Sequence, residues 1–391
     1  MRIELSKNSK SIPRSGIRKI FDKVLKLDDV INFSLGEPDF QTPEHIKQAA
    51  MEAIKEGYTH YTPNCGLKDF REAVAEKVLL ENRIRVDPET EVIATPGAMG
   101  ALSLAIYATI DKGDEVIITD PGYVSYPAQV MMAGGSPVRL PVNEDNNFAP
   151  KAEDIRERIT PRTKAIILNY PANPTGSTLS NDDLNAIRRI AIENNLLVIS
   201  DEVYERLTYD GVVHRSIASL PDMKENVISI FSLSKTYAMT GWRIGYAVGS
   251  EEVIREMTKL QEHVSAHPSS ISQKAGIAAL SGPQDEANRL IDEFAERRDI
   301  LYKRINDIDG ISCLKPQGAF YIFMNVKNLR ISSYDASMLF LEKSKVATVP
   351  GSEFGPSGEG YIRISYSVAK DKIESGIDRI EKTLALTKRM D

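Results

Sequence analysis

The segment SLSKTYAMTGWRIGY (232–246) places Lys235 beside small hydroxyl residues at the end of an apolar run. The hydroxyls of Ser232 and Ser234 and the guanidinium of Arg243 form a set that suits a phosphate dianion. Because a lysine beside a phosphate and an aldehyde can form an imine, the segment indicates covalent attachment of a phosphorylated aldehyde. The alternative is a solvated lysine in a surface loop, since short motifs of this kind also occur by chance.

The segment VISDEVYERL (198–207) ends an apolar run with Asp201 and presents Tyr204 shortly afterwards. A buried carboxylate facing a pyridine nitrogen would hold that nitrogen protonated and make the ring an electron sink. Tyr204 could hydrogen-bond a phenolic oxygen on the same ring. The alternative for Asp201 is the N-cap of a helix. Glu202 and Glu205 are expected to be solvated.

Asn173 lies in NYPANPTGSTLS (169–180), a segment whose prolines and glycine predict a turn. Thr178 or Ser180 could cap the helix that follows. An amide held by a rigid double-proline turn is preorganised, so Asn173 is predicted to reach the same phenolic oxygen as Tyr204.

Two glycine turns add a possible anion site and an aromatic ring. TPGAMGALSLAI (95–106) runs from a turn into a helix, where the backbone N–H groups of Ala98 and Met99 would point at an anion. DPGYVSY (120–126) presents Tyr123, whose ring could stack on a pyridine, although packing in the core is the commoner fate of a tyrosine.

Two further segments could recognise a carboxylate. In FSLGEPDFQTPEHI (33–46), Gly36 lets the backbone approach a ligand closely because it has no Cβ. In GEGYIRISYS (358–367), Arg363 lies in an alternating strand, where it is either an outward surface residue or a bidentate partner of a carboxylate.

These residues follow predicted strands that alternate with helical patterns. Such alternation predicts a largely parallel sheet covered on both faces, with ligands bound beyond the carboxyl ends of the strands. The predicted strands are EVIA (91–94), EVIITD (115–120), KAIILN (164–169), LLVISD (196–201) and NVISIF (226–231).

The pattern changes after about residue 285, where helices and strands mix in the manner of an α+β domain. The expected elements are a helix at Asp285–Ile305, ISCL, GAFYIFMNV, a helix around Tyr334–Lys343, RISYSV and a closing helix to Arg389. Ser11–Asp22 is too short to build a core alone. We therefore expect an N-terminal segment (1–45) that joins the small domain, a large cofactor-binding domain (46–285) and a small C-terminal domain (286–391).

The composition excludes several classes of protein. With 391 residues, 42% hydrophobic and 27% charged, the chain is typical of a globular protein larger than one compact domain. No basic block predicts nucleic-acid binding, and no apolar stretch predicts a signal peptide or a membrane span. Only Cys65 and Cys313 occur, so neither a disulfide framework nor a metal site is expected and a cytoplasmic location is predicted.

Together these motifs resemble the class I/II aminotransferases of pyridoxal-phosphate fold type I, in the family's order and over residues 11 to 385, especially the archaeal aromatic and aspartate types. The resemblance implies a large domain with a mostly parallel, seven-stranded sheet covered by helices, plus a smaller α+β domain from both chain ends. The segments that carry it are GEPDF with TPEHI, YTPNCGL, NPTG, SDEVYE, SLSKTYAMTGWRIGY, GAFYIF, and VPGSEFG with RISYS.

By this resemblance, Lys235 forms a Schiff base with pyridoxal 5'-phosphate and moves the substrate proton. Asp201 partners the ring nitrogen, Asn173 and Tyr204 bind the phenolic oxygen, and Tyr123 stacks on the ring. The implied phosphate cup consists of Ala98, Met99, Ser232, Ser234 and Arg243.

The resemblance also implies the substrates and the assembly. Arg363, with Gly36 and Asn173, would bind the substrate carboxylate, and Tyr61 would reach the phosphate of a neighbouring subunit in a homodimer. The implied reaction moves the amino group of an aromatic or aspartate-type L-amino acid to 2-oxoglutarate. Met99 departs from some aspartate-specific relatives, which have a lysine there that reads the distal carboxylate, and this leaves room for an apolar side chain.

Three alternative classes share parts of this pattern. A C–S β-lyase on the same scaffold would use the same Lys235 and Asp201. A non-catalytic pyridoxal-phosphate-binding regulator would not need Lys235, Asp201 and Arg363 together, so their presence argues against it. A Rossmann dehydrogenase would need a G-x-G-x-x-G turn in its first βα unit, which the sequence lacks.

Overall fold

The computed structural model describes residues 3–12, 24 and 27–387. The predicted Ser11–Asp22 element lies almost entirely outside these residues. The strands are β1 (Ile31–Asn32), β2 (Val92–Thr95), β3 (Glu115–Asp120), β4 (Ser136–Pro141), β5 (Thr163–Asn169), β6 (Leu197–Asp201), β7 (Val227–Ser232), β8 (Gly245–Val248), β9 (Tyr321–Asn325), β10 (Val346–Ala347), β11 (Val349–Pro350) and β12 (Tyr361–Ser365).

The α-helices of the described residues alternate with these strands in the first two thirds of the chain and dominate its last third. They are α1 (Lys7–Ser11), α2 (Glu44–Lys55), α3 (Lys68–Leu80), α4 (Gly97–Thr109), α5 (Ser125–Met132), α6 (Ala152–Glu157), α7 (Asn181–Glu193), α8 (Leu233–Thr236), α9 (Glu251–Val264), α10 (Ser270–Ser281), α11 (Asp285–Asn306), α12 (Ser333–Leu339) and α13 (Lys370–Thr387). A π-helical turn at Phe340–Ser344 continues α12.

A seven-stranded sheet forms the centre of the molecule, in the order β2-β8-β7-β6-β5-β3-β4. All neighbouring strands are parallel except that β8 runs antiparallel to β2 and β7. Since the parallel strands end at one edge, the residues that follow them converge there. The predicted mostly parallel, seven-stranded sheet is confirmed.

Helices cover both faces of this sheet. Successive side chains of a strand point to opposite faces, and apolar side chains on both faces need to be buried. Val116 and Ile118 of β3 pack with Leu102 and Ile106 of α4 in one buried cluster. Ile117, between them in sequence, packs on the opposite face in a cluster that includes Leu184, Ile187 and Ile190 of α7. The continuous apolar runs of the sequence therefore reflect burial on both faces.

A smaller α+β unit combines both ends of the described chain. Its antiparallel sheet has the order β11-β12-β9, and β1 pairs in parallel with β10. Ile31 and Phe33 share a buried cluster with Phe294 of α11 and Ile377 of α13. The predicted α+β part from both chain ends is confirmed, whereas the boundaries at residues 45 and 285 stay a prediction.

Several elements differ from those expected. β4 and β8 were not predicted, and the expected strand ISCL forms only an isolated bridge between Ser312 and Asn325. The expected closing helix is observed to Thr387, and its last predicted residues lie outside the described part. Among the helices of the described residues, none has the length and apolar character needed to cross a membrane.

Candidate active site

A cavity of about 270 Å³ lies where the carboxyl ends of the central strands meet the smaller sheet. Twelve of the thirteen predicted site residues line it: Gly36, Ala98, Met99, Tyr123, Asn173, Asp201, Tyr204, Ser232, Ser234, Lys235, Arg243 and Arg363. Six lining residues were not predicted: Ser34, Leu35, Tyr126, Asn169, Val203 and Tyr321.

Lys235 enters the cavity from α8, directly after β7. Its Nζ donates a hydrogen bond to the carbonyl oxygen of Gly36 at 2.7 Å. Burial lowers the pKa of Lys235 to about 8; Glu37 opposes this effect, and the positive charges of Arg243 and Arg363 add to it. A sizeable fraction of the amine is therefore neutral near pH 8, so Lys235 is suited to nucleophilic attack and to proton transfer.

Asp201 is the last residue of β6, and its carboxylate is buried. Burial raises its pKa to about 6, although the hydroxyl of Tyr126 opposes this shift by donating to Oδ2 at 2.8 Å. Among the described residues, no basic side chain forms a salt bridge with Asp201. A turn rather than a helix follows, so the predicted alternative of a helix N-cap does not apply.

The predicted anion site lies where α4 begins at Gly97, with Ala98 and Met99 in its first turn. Gly97 has a φ of 73°, and a Cβ there would lie 2.6 Å from the guanidinium of Arg243. Glycine therefore lets Arg243 approach the turn closely. The side chain of Ser232 caps α8 by accepting from the N–H of Ser234 at 3.1 Å.

Arg363 is buried on β12, so the predicted alternative of an outward surface residue is wrong. One terminal nitrogen donates to Oδ1 of Asn173 at 3.0 Å and the other to the carbonyl oxygen of Ser34 at 2.6 Å. Among the described residues, its Nε has no hydrogen-bond partner. Its guanidinium lies 4.6 Å from the ring centre of Tyr321 and 5.0 Å from that of Phe354. A buried cation with a free donor is prepared for an anionic ligand.

Four tyrosine rings line the same cavity: Tyr123, Tyr126, Tyr204 and Tyr321. Tyr204 is buried, and its hydroxyl lies 2.9 Å from that of Tyr321. Burial raises the pKa of Tyr204 well above its ordinary value, so this phenol stays protonated and can donate a hydrogen bond. Tyr123 packs edge-on against Tyr126, with the ring centres 5.5 Å apart.

Tyr61 is the one predicted site residue that does not line the cavity. Its side chain is 91% exposed and contacts the ring of His267 edge-on. An exposed aromatic side chain is available to contact a second molecule. Such a contact is the role that the sequence resemblance gave to Tyr61.

The expectation that Glu202 and Glu205 are solvated is wrong. Glu202 is buried and accepts hydrogen bonds from Ser216 and His214, both at 2.7 Å. Although burial raises the pKa of Glu202, these hydrogen bonds outweigh it and hold the pKa below the ordinary value. Glu205 pairs with the buried amine of Lys77.

Some of the missed lining residues carried a usable signal. Asn169 is the last residue of β5, the position that Asp201 occupies in β6, and its amide nitrogen donates to the Asp201 carbonyl oxygen at 3.0 Å. Its Oδ1 accepts from the N–H of Asn173 at 3.0 Å. The strand-end rule therefore applies to Asn169, whereas no local pattern distinguishes Tyr126 or Tyr321 from core tyrosines.

Comparison with known proteins agrees with this geometry. The sequence model of the family described as Aminotransferase class I and II matches residues 28–380. An aspartate aminotransferase of Pyrococcus abyssi is 45% identical over 372 residues, which cover 95% of each chain. Aromatic-amino-acid aminotransferase 2 of Thermococcus litoralis is 42% identical over 382 residues, which cover 97% of this chain and 98% of the relative.

A solved structure gives the same result. The crystal structure of an aromatic aminotransferase from Pyrococcus horikoshii OT3 matches with a TM-score of 0.91 and 42% identity, and covers 94% of this chain and 99% of that chain. The chain belongs to the class I and II aminotransferase family, of fold type I. It is a pyridoxal-phosphate-dependent aminotransferase, a family whose substrates are small molecules, namely amino acids and 2-oxo acids.

The cavity fits this cofactor. Asp201 presents a buried carboxylate that has no salt-bridge partner among the described residues, which suits a protonated ring nitrogen. The turn at Gly97 brings Arg243 next to the start of α4, which suits a phosphate. The amine of Lys235 lines the same cavity and suits an aldehyde.

Proposed function

We propose that this aminotransferase moves the amino group of an aromatic or aspartate-type L-amino acid to 2-oxoglutarate, with Lys235 as the Schiff-base lysine. One observation carries the proposal. A single cavity holds an amine with a lowered pKa, a buried carboxylate at Asp201 and a buried guanidinium at Arg363 that has a free donor.

Pyridoxal phosphate, when bound, supplies an aldehyde for amine exchange and a ring that accepts the electron pair of the broken Cα–H bond. Asp201, whose carboxylate is buried, would keep the ring nitrogen protonated through an ion pair. The Lys235 amine, once displaced by the substrate amine, removes the proton from Cα of the amino acid. The same amine would hold this proton and return it within the site, and hydrolysis would release the 2-oxo acid.

Arg363 binds the α-carboxylate in this proposal. Its guanidinium is fixed by Asn173 and Ser34 and by the rings of Tyr321 and Phe354, so little freedom is lost on binding. A carboxylate bound there would hold the amino acid in the cavity that Lys235 also lines.

The residues that line the cavity favour an amino donor with an aromatic side chain. Lys235, Arg243 and Arg363 are the cations among the described residues that line the cavity, and each has a role with the cofactor or the α-carboxylate. Leu35 and Met99 add apolar surface. The relatives include both an aspartate and an aromatic aminotransferase, so the aspartate type stays within the proposal.

A panel of L-amino acids tests the proposal. We expect the aromatic amino acids or aspartate to convert the cofactor absorbance fastest in the absence of an acceptor, and 2-oxoglutarate to restore it with formation of glutamate. Release of pyruvate from cystathionine without amino transfer would instead identify a C–S β-lyase, and unchanged spectra with every amino acid would contradict the function.

Arg363→Lys is the matched variant for the same panel. It keeps the charge but loses the planar fork, so KM for the amino acid should rise about 10- to 100-fold, the value of one charge-assisted hydrogen bond. The cofactor spectrum of the resting variant should match that of the wild type. An unchanged KM would show that another group binds the carboxylate.

We also propose a homodimer with shared active sites. The support is the exposed ring of Tyr61, whose family counterpart by the sequence resemblance reaches the phosphate of the neighbouring subunit. Sedimentation of the cofactor-loaded enzyme should give the mass of two chains. A mass of one chain in the fully active enzyme contradicts this proposal.

We further propose a cytoplasmic location. Cys65 and Cys313 are both free, which suits a reducing compartment. Recovery of the protein with the membrane or secreted fraction of its cells would contradict this location.

A further inference from the structure

Tyr321 of β9 joins the two halves of the proposed site. It is buried, its hydroxyl lies 2.9 Å from that of Tyr204, and its ring faces the guanidinium of Arg363 at 4.6 Å. A Cβ at Gly36 would overlap the Tyr321 hydroxyl. Tyr321 therefore contacts three predicted site residues. They are Tyr204, Arg363 and Gly36.

The fold holds this phenol in one place. β9 pairs antiparallel with β12, so that Phe323 lies opposite Arg363 and Tyr321 lies opposite Ser365. Tyr321 is therefore the diagonal neighbour of Arg363, a spacing that a long side chain spans. The Phe320 ring packs against Tyr321 with the centres 4.8 Å apart. The hydroxyl is fixed by the sheet rather than by a mobile loop.

The hydrogen bond between the two phenols has two possible directions, because each hydroxyl has one proton. If Tyr204 donates to Tyr321, Tyr204 has no proton left for the cavity. If Tyr321 donates, the Tyr204 oxygen accepts and its own proton is free for a ligand. A donor that also accepts a hydrogen bond is polarised and donates more strongly.

We propose that Tyr321 is a positioning residue whose hydroxyl donates to Tyr204 and thereby directs the Tyr204 proton to the phenolic oxygen of the cofactor. This inference rests on the proposed function, which gives Tyr204 that role. Tyr321 acts on the cofactor through Tyr204, and its ring separately supports Arg363.

Tyr321→Phe tests the hydroxyl, because it keeps the ring beside Arg363. In the pyridoxal-phosphate-loaded protein, a donor on the phenolic oxygen withdraws negative charge that would otherwise hold the proton on the Lys235 nitrogen. Loss of the Tyr321 hydroxyl weakens this donor, so the pH midpoint of the visible absorbance change should rise by about 0.3 pH unit. KM for the amino acid should stay unchanged, because Arg363 keeps its neighbours.

Tyr204→Phe and Tyr366→Phe complete the experiment. Tyr204→Phe removes the donor itself and should raise the midpoint by about one pH unit or more. Tyr366→Phe removes another buried hydroxyl, which donates to the carbonyl oxygen of Ala319 at 3.1 Å in the same core, and should leave the midpoint unchanged. Adding Tyr321→Phe to Tyr204→Phe should cause no further change, since the two residues act in series.

The outcomes separate the two ideas. If Tyr204→Phe raises the midpoint but the Tyr321→Phe titration superimposes on that of the wild type, the inference is overturned and the proposed function stands. A double variant that titrates above Tyr204→Phe alone also overturns it, because Tyr321 would then act by another route. If Tyr204→Phe has no effect, the role that the proposed function gives to Tyr204 fails first.

Discussion

Replacement of Lys235 by alanine is expected to reduce transamination by at least about 10⁴-fold, the upper range for the loss of a positioned acid–base group. The variant loses both the nitrogen that binds the aldehyde and the amine that moves the Cα proton. The measurement is the single-turnover rate of the half-reaction, followed by cofactor absorbance. The absorbance change that depends on the Lys235 nitrogen should also disappear from the pH titration.

Lys235→Arg separates charge from chemistry. It keeps a cation at the end of β7 but has no amine that is neutral near pH 8, so its half-reaction should be as slow as that of Lys235→Ala. A small primary amine added to Lys235→Ala should restore part of the rate, because the truncated side chain leaves room in the cavity. Full transamination by either variant would refute the role of Lys235.

The positions that the sequence predicted best are those set by local rules. Asp201 and Lys235 follow apolar runs, and the carboxyl ends of parallel strands must meet at one edge. Ser180, one of the two residues predicted to cap the following helix, caps α7. Such features depend on neighbours in sequence, so one chain is enough to find them.

The missed strands were hidden by their composition. SPVRLP of β4 contains two prolines, which are tolerated because β4 is an edge strand. GYAV of β8 has few β-branched residues, yet it lies inside the sheet. A Cβ at Gly245 would lie 2.7 Å from the carbonyl oxygen of Phe231, so packing rather than strand propensity selects glycine there.

The missed contacts of the site are long-range in sequence. Glu202 is buried because His214 and Ser216 return to it after a turn. Tyr321 reaches Tyr204 only because the smaller sheet packs over the ends of the central strands. A motif can identify which residues are present, but these contacts depend on how two separate sheets approach each other.

Asp201→Asn is expected to lower transamination by about two to four orders of magnitude, because breaking a buried ion pair costs about 3–5 kcal/mol. The amide has nearly the same shape, and the Tyr126 hydroxyl can still donate to its oxygen. It carries no charge, however, and cannot hold the ring nitrogen protonated. The rate of Cα proton removal, measured with substrate deuterated at Cα, should fall while KM changes little.

The same substitution should make the cofactor-free protein more stable above about pH 6. The pKa of Asp201 rises from 3.8 in the unfolded chain to about 6 in the fold, so the folded state binds the proton more tightly. Its contribution to stability therefore declines as pH rises through this window, by about 3 kcal/mol in all. The uncharged amide of the Asp201→Asn variant avoids this loss, so the two proteins should differ in urea unfolding at pH 8 and converge near pH 4.

Glu202→Gln is the matched control because it changes the adjacent buried carboxylate with the opposite expected sign. The pKa of Glu202 is held below 4.5 by His214 and Ser216, so its contribution to stability is present above pH 4.5 and is lost as pH falls. The variant should therefore be less stable at pH 8 and still transaminate. If Asp201→Asn is the less stable protein at pH 8 and Glu202→Gln the inactive one, the two carboxylates have been assigned the wrong way round.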